Sequence, residues 1–373
     1  AGGNHLFVTE NEGQSWETIS PDLTTNDKSK QASSGGPITK DNTSVEYYCT
    51  IFTGTESPLE KDLLWIGSDD GVLSMSKNGG KNWENVTPPA AGKWMMWNCI
   101  ETDPFKKGTV YVVGTKYKSD DFTPYLFKSE DYGKTWTTIT NGIDKMHFTR
   151  ALRADHKRPG LLYAGTEYGL YISYDYGSNW KPFQLNLPIV PITDLTIKEN
   201  DLIVATQGRA FWVLDDLTVL QEKDNAGIAK NLHVFTVNDA YRSEGGGRRR
   251  RSAGGGAVQN IGENPLSGAV FNYHLRNTND SSRVSISIFD KQSKLIKTFS
   301  TKSKEAANKL EINEGLNQFA WDQNYQEREK SDGMILWNGG VGAVKAAPGK
   351  YSARFRYGKD SVDVPFVIKN NPN

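Results

Sequence analysis

The stretch LLYAGTEYGLYISYDYGSNW, residues 161–180, decides the fold, because versions of it recur three more times along the chain. It holds two short β-runs, at residues 161–165 and 169–174, that alternate or stay apolar for the length of a strand and end in turn residues. The second run leads into the pattern S-x-D-x-G-x-x-W, formed by Ser173, Asp175, Gly177 and Trp180. In such a hairpin the acidic side chain can hydrogen-bond its own turn, the glycine can take positive φ, and the tryptophan can pack between sheets.

The same pattern, the Asp-box, occurs at three earlier positions. The copies are Thr9, Asn11, Gly13 and Trp16, then Ser76, Asn78, Gly80 and Trp83, then Ser129, Asp131, Gly133 and Trp136. Successive tryptophans lie 67, 53 and 44 residues apart, and a four-stranded propeller blade needs about 40 to 50 residues. The longer intervals indicate loop insertions, at Thr24–Ser44 and Lys116–Pro124. We predict an all-β fold in which part of a multi-bladed β-propeller with Asp-box hairpins is followed by a β-sandwich.

The number of blades predicts an open arrangement. Residues 4–20 have the pattern of the last two strands of a blade, three complete blades follow, and residues 192–214 form a degenerate blade without an Asp-box. The first strand of the second blade is predicted at Val45–Phe52. About four and a half blades cannot close a ring and would leave unpaired strands. We therefore expect that the chain starts at a cut, and that the remaining blades come from the same longer polypeptide.

Length and charge limit the functional classes. A chain of 373 residues should hold about two domains. Its 44 basic and 44 acidic residues give a formal net charge of zero, which does not favour nucleic acid as a partner. No run of about 18 apolar residues occurs, so we predict no transmembrane segment. Residue 1 is not followed by a basic region and an apolar run, so any signal peptide would lie outside the chain.

Three stretches resemble a known family. Residues 57–83, 124–136 and 161–218 are similar to the sortilin-type Asp-box (BNR-repeat) propeller proteins of bacteria, which are often labelled glycosyl hydrolases. The resemblance covers nearly all of residues 1–240. It implies a large protein that is secreted, periplasmic or on the outer cell surface, commonly with a small β-sandwich behind the propeller. It implies little about chemistry, because the repeat is a scaffold.

We predict three segments: propeller blades at 1–240, a Gly/Arg-rich linker or loop at 241–264 and a β-sandwich at 265–373. The linker contains Arg248–Arg251 between Gly and Ser residues, a pattern typical of a flexible spacer. An acidic partner and a protease-sensitive loop are the other interpretations of this segment. Residues 315–322 and 347–368 resemble a bacterial immunoglobulin-like module. The predicted sandwich strands are 270–276, 284–290, 295–300, 317–321, 350–357 and 361–368.

The repeated acids favour structure over catalysis. Because they stand at a fixed position in every hairpin, we predict a turn-locking role, for Asn11, Asn78, Asp131 and Asp175, with their tryptophans Trp16, Trp83, Trp136 and Trp180. Asp69 and Asp70 favour a hairpin turn over a calcium loop. Asp215 and Asp216 favour closure of the last blade over a glycosidase pair. We predict no catalytic residue in this chain, no metal site and no cofactor; the five histidines are scattered.

Aromatic and basic residues near blade edges are the best binding candidates. Trp94 and Trp97 flank an apolar run at the entry to an inner strand, where core packing and a sugar- or peptide-stacking platform are both possible. Tyr117, His147 and Arg209 occupy comparable loops. The few arginines of the propeller part do not favour a sialidase, which needs several guanidinium groups around one carboxylate.

Two cysteines, Cys49 and Cys99, lie in apolar runs that have the pattern of strands. Buried free thiols are favoured, and a disulfide stays open because sequence does not show how far apart the two backbones lie.

The sequence thus favours an extracytoplasmic recognition or scaffold module that binds a protein, peptide or glycan through propeller loops, without covalent chemistry. The alternative is an Asp-box propeller glycoside hydrolase with some of its carboxylates in the missing blades, and a third reading is an architectural subunit. A unique pair of buried acids facing the channel would favour the hydrolase. Apolar or mixed loops around a large patch would favour binding.

Overall fold

Antiparallel sheets of two to four strands follow one another along residues 2–217. The structure, a computed structural model, describes residues 2–33, 35, 47–224, 226–242, 264–279, 281–325 and 343–371. The chain divides into two units, Ala1–Leu217 and Thr218–Asn373. The described part of the first unit contains three four-stranded sheets, preceded by a two-stranded sheet and followed by a three-stranded one. The predicted all-β propeller fold is confirmed.

The blades are simple meanders in which neighbouring strands are antiparallel. The first sheet pairs β1 (Phe7–Val8) with β2 (Glu17–Thr18). The second sheet contains β3 (Ile51–Glu56), β4 (Leu64–Ser68), β5 (Leu73–Ser76) and β6 (Glu84–Asn85). The third contains β7 (Met96–Thr102), β8 (Val110–Lys116), β9 (Asp121–Ser129) and β10 (Thr137–Thr138). The fourth contains β11 (Thr149–Ala154), β12 (Leu162–Thr166), β13 (Gly169–Ser173) and β14 (Lys181–Pro182). The fifth contains β15 (Ile192–Lys198), β16 (Asp201–Thr206) and β17 (Phe211–Leu214). Short 3-10 turns lie at Lys28–Lys30, Pro89–Ala91 and Tyr117–Ser119.

One strand differs from its prediction. The first strand of the second sheet begins at Ile51, not at Val45, and continues to Glu56. The physical reason is Cys49, whose φ of 70° is incompatible with an extended strand. Val45 itself lies outside the described residues.

The four Asp-box hairpins have the same internal hydrogen bonds. In each, the hydroxyl residue accepts a bond from the glycine N–H at 2.8–3.0 Å, and the Asp or Asn oxygen accepts one from the N–H four residues later at 2.8–2.9 Å. Each glycine has positive φ, between 79° and 91°. The side chains of Asn11, Asn78, Asp131 and Asp175 therefore act within their own turns.

The last three hairpins also join neighbouring sheets. The indole N–H of Trp83, Trp136 and Trp180 donates to a backbone carbonyl of the preceding blade at 3.0, 2.9 and 2.7 Å. The acceptors are Ile19, Val86 and Ile139. Each acceptor stands three residues after the tryptophan of its own hairpin. The hairpins are therefore the repeating contact between blades. In each, the hairpin glycine packs against the same residue whose carbonyl accepts the indole bond. We call this bond and this packing together the inter-blade contact.

The first strands of successive blades contact one another, which makes them the inner row of the propeller. Each of the four has an irregular register near its beginning. A β-bulge reaims a side chain and increases local twist. The residues skipped by the pairing are Phe52, Asn98, Arg150 and Thr193.

The second unit is a β-sandwich with one shared core. It has a helical turn, α1 (Thr218–Gln221), and short 3-10 turns at Ala226–Ala229 and Ala306–Asn308. One sheet orders β18 (Leu232–Val234), β20 (Ala269–Leu275) and β23 (Gly315–Trp321). The other orders β19 (Ala240–Tyr241), β25 (Asp360–Lys369), β24 (Gly349–Tyr357), β21 (Val284–Phe289) and β22 (Leu295–Ser300). Aromatic residues from both sheets fill the core, among them Phe271, Tyr273, Trp321, Phe355 and Phe366.

The predicted boundary at residue 240 is too late. β18 pairs with β20, and β19 pairs with β25, so residues 232–241 belong to the sandwich. These short strands carry too little pattern to be assigned from sequence, which explains the difference. The arginine run 248–251 lies outside the described residues.

Both cysteines are buried and free of disulfides. The preference for free thiols over a disulfide is thereby confirmed. None of the helices in the described residues has the length and hydrophobicity needed to cross a bilayer.

Candidate functional site

The antiparallel order of the strands places the loops on two faces of the first unit. Loops that precede a first strand lie on the same side as turns that join the second strand to the third. We call this side the upper face, and it includes the loops at 86–95, 117–120, 139–148 and 207–210. The Asp-box turns lie on the opposite side, because they join the third strand to the fourth. Four predicted binding residues are on the upper face: Trp94, Tyr117, His147 and Arg209.

A pocket of about 280 Å³ opens on the upper face between the second and third blades. It brings together Trp94 and Tyr117, two of the residues predicted from sequence. Its other lining residues are Lys30, Tyr48, Asp69, Met96, Thr115, Lys116, Lys118 and Ser119. The insertion at 116–124 helps to build the wall, since β8 and β9 lengthen their hairpin and enclose the 3-10 turn at Tyr117–Ser119.

Trp94 projects from the chain because of its backbone. Its φ is 70°, whereas the next residues enter β7. The side chain is 46% exposed and stacks beside Tyr48, with ring centroids 6.2 Å apart. The Lys30 ammonium lies 4.5 Å from the centre of the indole ring. Trp94 is therefore an ordered aromatic anchor at the pocket edge.

The acidic wall of the pocket is partly buried. Burial raises the pKa of Tyr48 to about 12, and the nearby carboxylates of Asp70 and Asp69 add to the effect. Burial also raises the pKa of Asp69, whose carboxylate accepts a bond from the Thr50 N–H at 2.8 Å. Tyr48 thus stays a neutral hydroxyl at physiological pH, and it can donate or accept a hydrogen bond.

Tyr117 connects the pocket to the next blade. Its ring stacks on Phe148 with centroids 5.3 Å apart and planes 14° apart. The guanidinium of Arg150 lies 5.4 Å from the Tyr117 ring and donates to Glu167 at 2.6 Å. The bulged position of Arg150 in β11 brings this charged group to the rings.

His147 and Arg209 are not brought into the pocket. His147 stacks on Tyr168 at 4.8 Å, and its Nδ1 lies 2.8 Å from the Tyr171 hydroxyl. Together with the stacked rings of Tyr117 and Phe148, these rings form a row of aromatic side chains along the upper face, which we call the aromatic row. Arg209 is exposed in the turn of the fifth sheet, where its guanidinium donates to the carbonyl of Gly208.

Of the two alternatives left open for Trp97, the structure shows core packing. The side chain is 0% exposed and packs in the core of the second and third blades. Met95 and Met96 are buried as well. All three residues that follow Trp94 are buried, so only one tryptophan of the pair is available to a ligand.

A cluster of charged residues on the inner strands was not predicted from the sequence. Arg153 of β11 donates to Asp194 of β15 at 3.0 Å and lies 3.6 Å from Glu101 of β7. Its guanidinium also lies 2.9 Å from the Cys99 sulfur. Burial raises the pKa of Glu101 to about 7 despite this arginine. Asp194 is 64% exposed in its side chain. The position of these residues in corresponding first strands was the signal available in the sequence.

Asp69 and Asp216 lie in hydrogen-bonded turns. Ser68 and Val72 close the turn that contains Asp69, and Gly71 there has φ of 104°. Asp216 donates its N–H to Asp201 and accepts from Asn200. Within the described ranges, no three His, Cys, Asp or Glu side chains are grouped so that they could hold a metal ion.

Comparisons with known proteins agree with the hairpin geometry. The model of the BNR-Asp box repeat matches residues 126–139, which include the whole third Asp-box, Ser129 to Trp136. A search of curated proteins found no match.

Several solved structures are similar at low identity. YCF48 bound to D1 peptide is 18% identical, with a TM-score of 0.35, over 44% of this chain and 51% of that one. The GH74 xyloglucanase from Xanthomonas campestris is 16% identical, with a TM-score of 0.43, over 58% and 34%. An ancestral GH74 enzyme is 13% identical, with a TM-score of 0.40, over 80% and 35%. The chain thus spans about half of the YCF48 chain and about a third of the two GH74 chains.

The repeat match, the four hairpins and the blade-like sheets point to one conclusion. The first unit has the β-propeller fold with Asp-box hairpins, and the third of these hairpins matches the BNR-Asp box repeat.

Proposed function

We propose that the chain is an extracytoplasmic recognition or scaffold module, which binds a protein, peptide or glycan through the loops of its upper face without covalent chemistry. The observation that supports this most is the pocket between the second and third blades, with Trp94 and Tyr117 on its wall. Binding sites commonly combine aromatic surface with a few polar groups. This pocket does so, because Lys30, Asp69 and Thr115 share it with the rings.

The aromatic row extends the surface beyond one pocket. Tyr117 stacks on Phe148, and the adjacent His147 stacks on Tyr168. A ligand longer than the pocket could follow this row over the third and fourth blades. The rings are supported by packed neighbours, which lowers the entropy lost when a ligand binds.

The location and the second unit are further parts of the proposal. The resemblance of residues 57–83 and 161–218 to sortilin-type propellers supports an extracytoplasmic location. The two sheets of the second unit share one core, as immunoglobulin-like sandwiches do. We infer that this unit is an immunoglobulin-like accessory module.

A matched pair of tryptophans tests the binding proposal. Trp94 and Trp16 are 46% and 51% exposed, but only Trp94 lies on the upper face. The chain would be screened against peptide and glycan libraries, and titration calorimetry would measure each hit against Trp94→Ala and Trp16→Ala. We expect Trp94→Ala to weaken binding by about tenfold or more, as for an aromatic anchor, and Trp16→Ala to leave it unchanged. Ligands that bind equally well to both variants would contradict the proposal.

A glycoside hydrolase is the second candidate, and the Glu101–Arg153–Asp194 group favours it. A carboxyl with a pKa of about 7 beside an exposed carboxylate is the kind of pair that can supply an acid and a base. Arg153 contacts both, and the side chain of Asp194 is 64% exposed, which leaves it accessible to a substrate. Glu101→Gln should abolish cleavage of a polysaccharide if this candidate is right, with Glu84→Gln, on the exposed outer strand β6, as the control in the same unit.

A further inference from the structure

The pocket between the second and third blades differs from the chain as a whole in its charge. Three of its lining side chains are lysines, Lys30, Lys116 and Lys118, and one is an acid, Asp69. The lining therefore has more positive than negative groups, whereas the whole chain has a formal net charge of zero. Among the described residues, no carboxylate oxygen lies within 4.0 Å of any of the three ammonium groups. The pocket thus holds cations that have no ion-pair partner.

The three lysines stand on ordered elements. Lys30 ends the first 3-10 turn, and the loop before this turn is tied to the second blade by Asp70. Asp70 is buried and accepts bonds from both the N–H and the hydroxyl of Thr25, each at 2.7 Å. Lys116 is the last residue of β8, and Lys118 lies in the 3-10 turn that follows. Because the backbone at each lysine is fixed, a ligand that uses these groups loses less entropy on binding.

The single carboxylate of the lining is engaged elsewhere. Asp69 accepts a bond from the Thr50 N–H at 2.8 Å, and burial raises its pKa despite the nearby ammonium of Lys118. Opposite charges attract more strongly where the surroundings exclude part of the water. A negatively charged ligand group would therefore supply the counter-charge that the three lysines lack.

The rings of the pocket favour a peptide over a glycan as the source of this charge. The Tyr48 ring and the Lys30 ammonium already lie 6.2 and 4.5 Å from the centre of the Trp94 ring. Tyr117 likewise has a neighbouring ring, that of Phe148, and a guanidinium 5.4 Å away. These neighbours leave less open aromatic face for the flat stacking of a sugar. An acidic side chain needs only the ammonium groups, and an apolar one needs only contact with the rings.

We propose that the pocket binds an acidic segment of a peptide, in which an Asp or Glu side chain lies among Lys30, Lys116 and Lys118. A neighbouring apolar side chain of the peptide lies against Trp94, and the residues that follow continue along the aromatic row. This inference rests on the proposed function, because it names the ligand class of the same pocket.

A panel of charge-matched peptides tests the proposal. Each peptide would be presented in an acidic form and in a neutral form with Asn for Asp and Gln for Glu, and titration calorimetry would measure the binders. We expect the acidic form to bind about tenfold more tightly, and its affinity to fall as salt is raised from about 50 to about 500 mM.

Matched lysine variants show whether the pocket is responsible. Lys118→Gln should weaken binding of the acidic form by about three- to tenfold. Lys81→Gln is the control, because Lys81 is exposed in the second Asp-box hairpin, on the opposite face, and it should leave the affinity unchanged. If Lys118→Gln does not fold, Lys30→Gln takes its place, with the same expected loss.

The outcomes separate this inference from the proposed function. Peptides that need Trp94 but bind equally in both forms would overturn the acidic class and leave the proposed function standing. Equal losses in Lys118→Gln and Lys81→Gln would overturn the assignment of the charge to this pocket. Tighter binding of polygalacturonic acid than of every peptide would assign the lysines to a glycan instead. No binding of any peptide or glycan would overturn both proposals.

Discussion

The first Asp-box hairpin and the fourth differ in their surroundings and not in themselves. Both bond their glycine N–H to a hydroxyl and their Asp or Asn oxygen to the N–H four residues on, within 0.1 Å of each other. Trp180, however, is 3% exposed and donates to Ile139, whereas Trp16 is half exposed. The comparison separates two roles of one motif. The acid and the hydroxyl fold the turn locally, and the tryptophan and glycine join blades.

The largest expected difference between the two hairpins is in the stability lost when each tryptophan is replaced by alanine. Trp180→Ala deletes a buried ring and leaves the carbonyl of Ile139 without its donor, so we expect a loss of about 3–5 kcal/mol. Trp16→Ala removes an exposed ring and should cost less than about 1 kcal/mol. Hydrogen–deuterium exchange of the blade strands in increasing urea would measure the free energy of unfolding of the first unit. Equal losses in the two variants would contradict the assignment of roles.

Alanine at the two glycines should separate backbone strain from packing. Gly13 and Gly177 have φ of 86° and 84°, so both substitutions cost about 1 kcal/mol for the left-handed backbone. Only Gly177→Ala also pushes a methyl group against Ile139, which should add about 1–3 kcal/mol. The same urea series measures both variants. If Gly13→Ala lowered the free energy of unfolding as much as Gly177→Ala, the packing of the glycine between blades would make no contribution to stability.

The smallest expected effect concerns acid sensitivity. The hydroxyl and backbone N–H of Thr135 bond the Asp131 carboxylate and hold its pKa at about 2. Because the folded pKa lies below the ordinary aspartate value of 3.8, this contribution to stability is present above pH 3.8 and lost as the pH falls toward 2. Asn78 fills the same position in the second hairpin without a titrating group.

Exchanging the two residue types tests this directly. Asp131→Asn should reduce the loss of stability between pH 4 and about 2, as followed by urea unfolding at each pH. Asn78→Asp should add to the loss in that interval. An unchanged pH profile in both variants would show that the turn carboxylate makes no measurable contribution.

The sequence predicts the hairpins well because their determinants are local. The Asp-box positions, the central strands and the separate sandwich all follow from short patterns of polar, glycine and β-forming residues. The outer strands are short, as with β6, which is only Glu84–Asn85. Val86 continues the pairing by a single backbone bond to Leu73, and its carbonyl then turns to the neighbouring blade.

The candidate site was harder to predict because it depends on contacts between blades. Nothing in the run from Trp94 to Trp97 shows that a positive φ exposes the first ring and that the core takes the second. Glu101, Arg153 and Asp194 are separated by about 40 to 50 residues and meet only when three inner strands are aligned. Tyr117 and Trp94 were recognisable as edge aromatics, but their shared pocket required the fold.

The most direct test of the central claim, recognition without chemistry, is product analysis of a ligand that binds the chain. Each hit from the peptide and glycan libraries would be incubated with the protein at high concentration and examined by mass spectrometry, with Trp94→Ala and Glu101→Gln in parallel. If the chain binds without chemistry, the ligand is recovered intact, Trp94→Ala loses binding and Glu101→Gln keeps it. A cleaved ligand, with cleavage lost in Glu101→Gln, would contradict the account and make the inner-strand acids an active site.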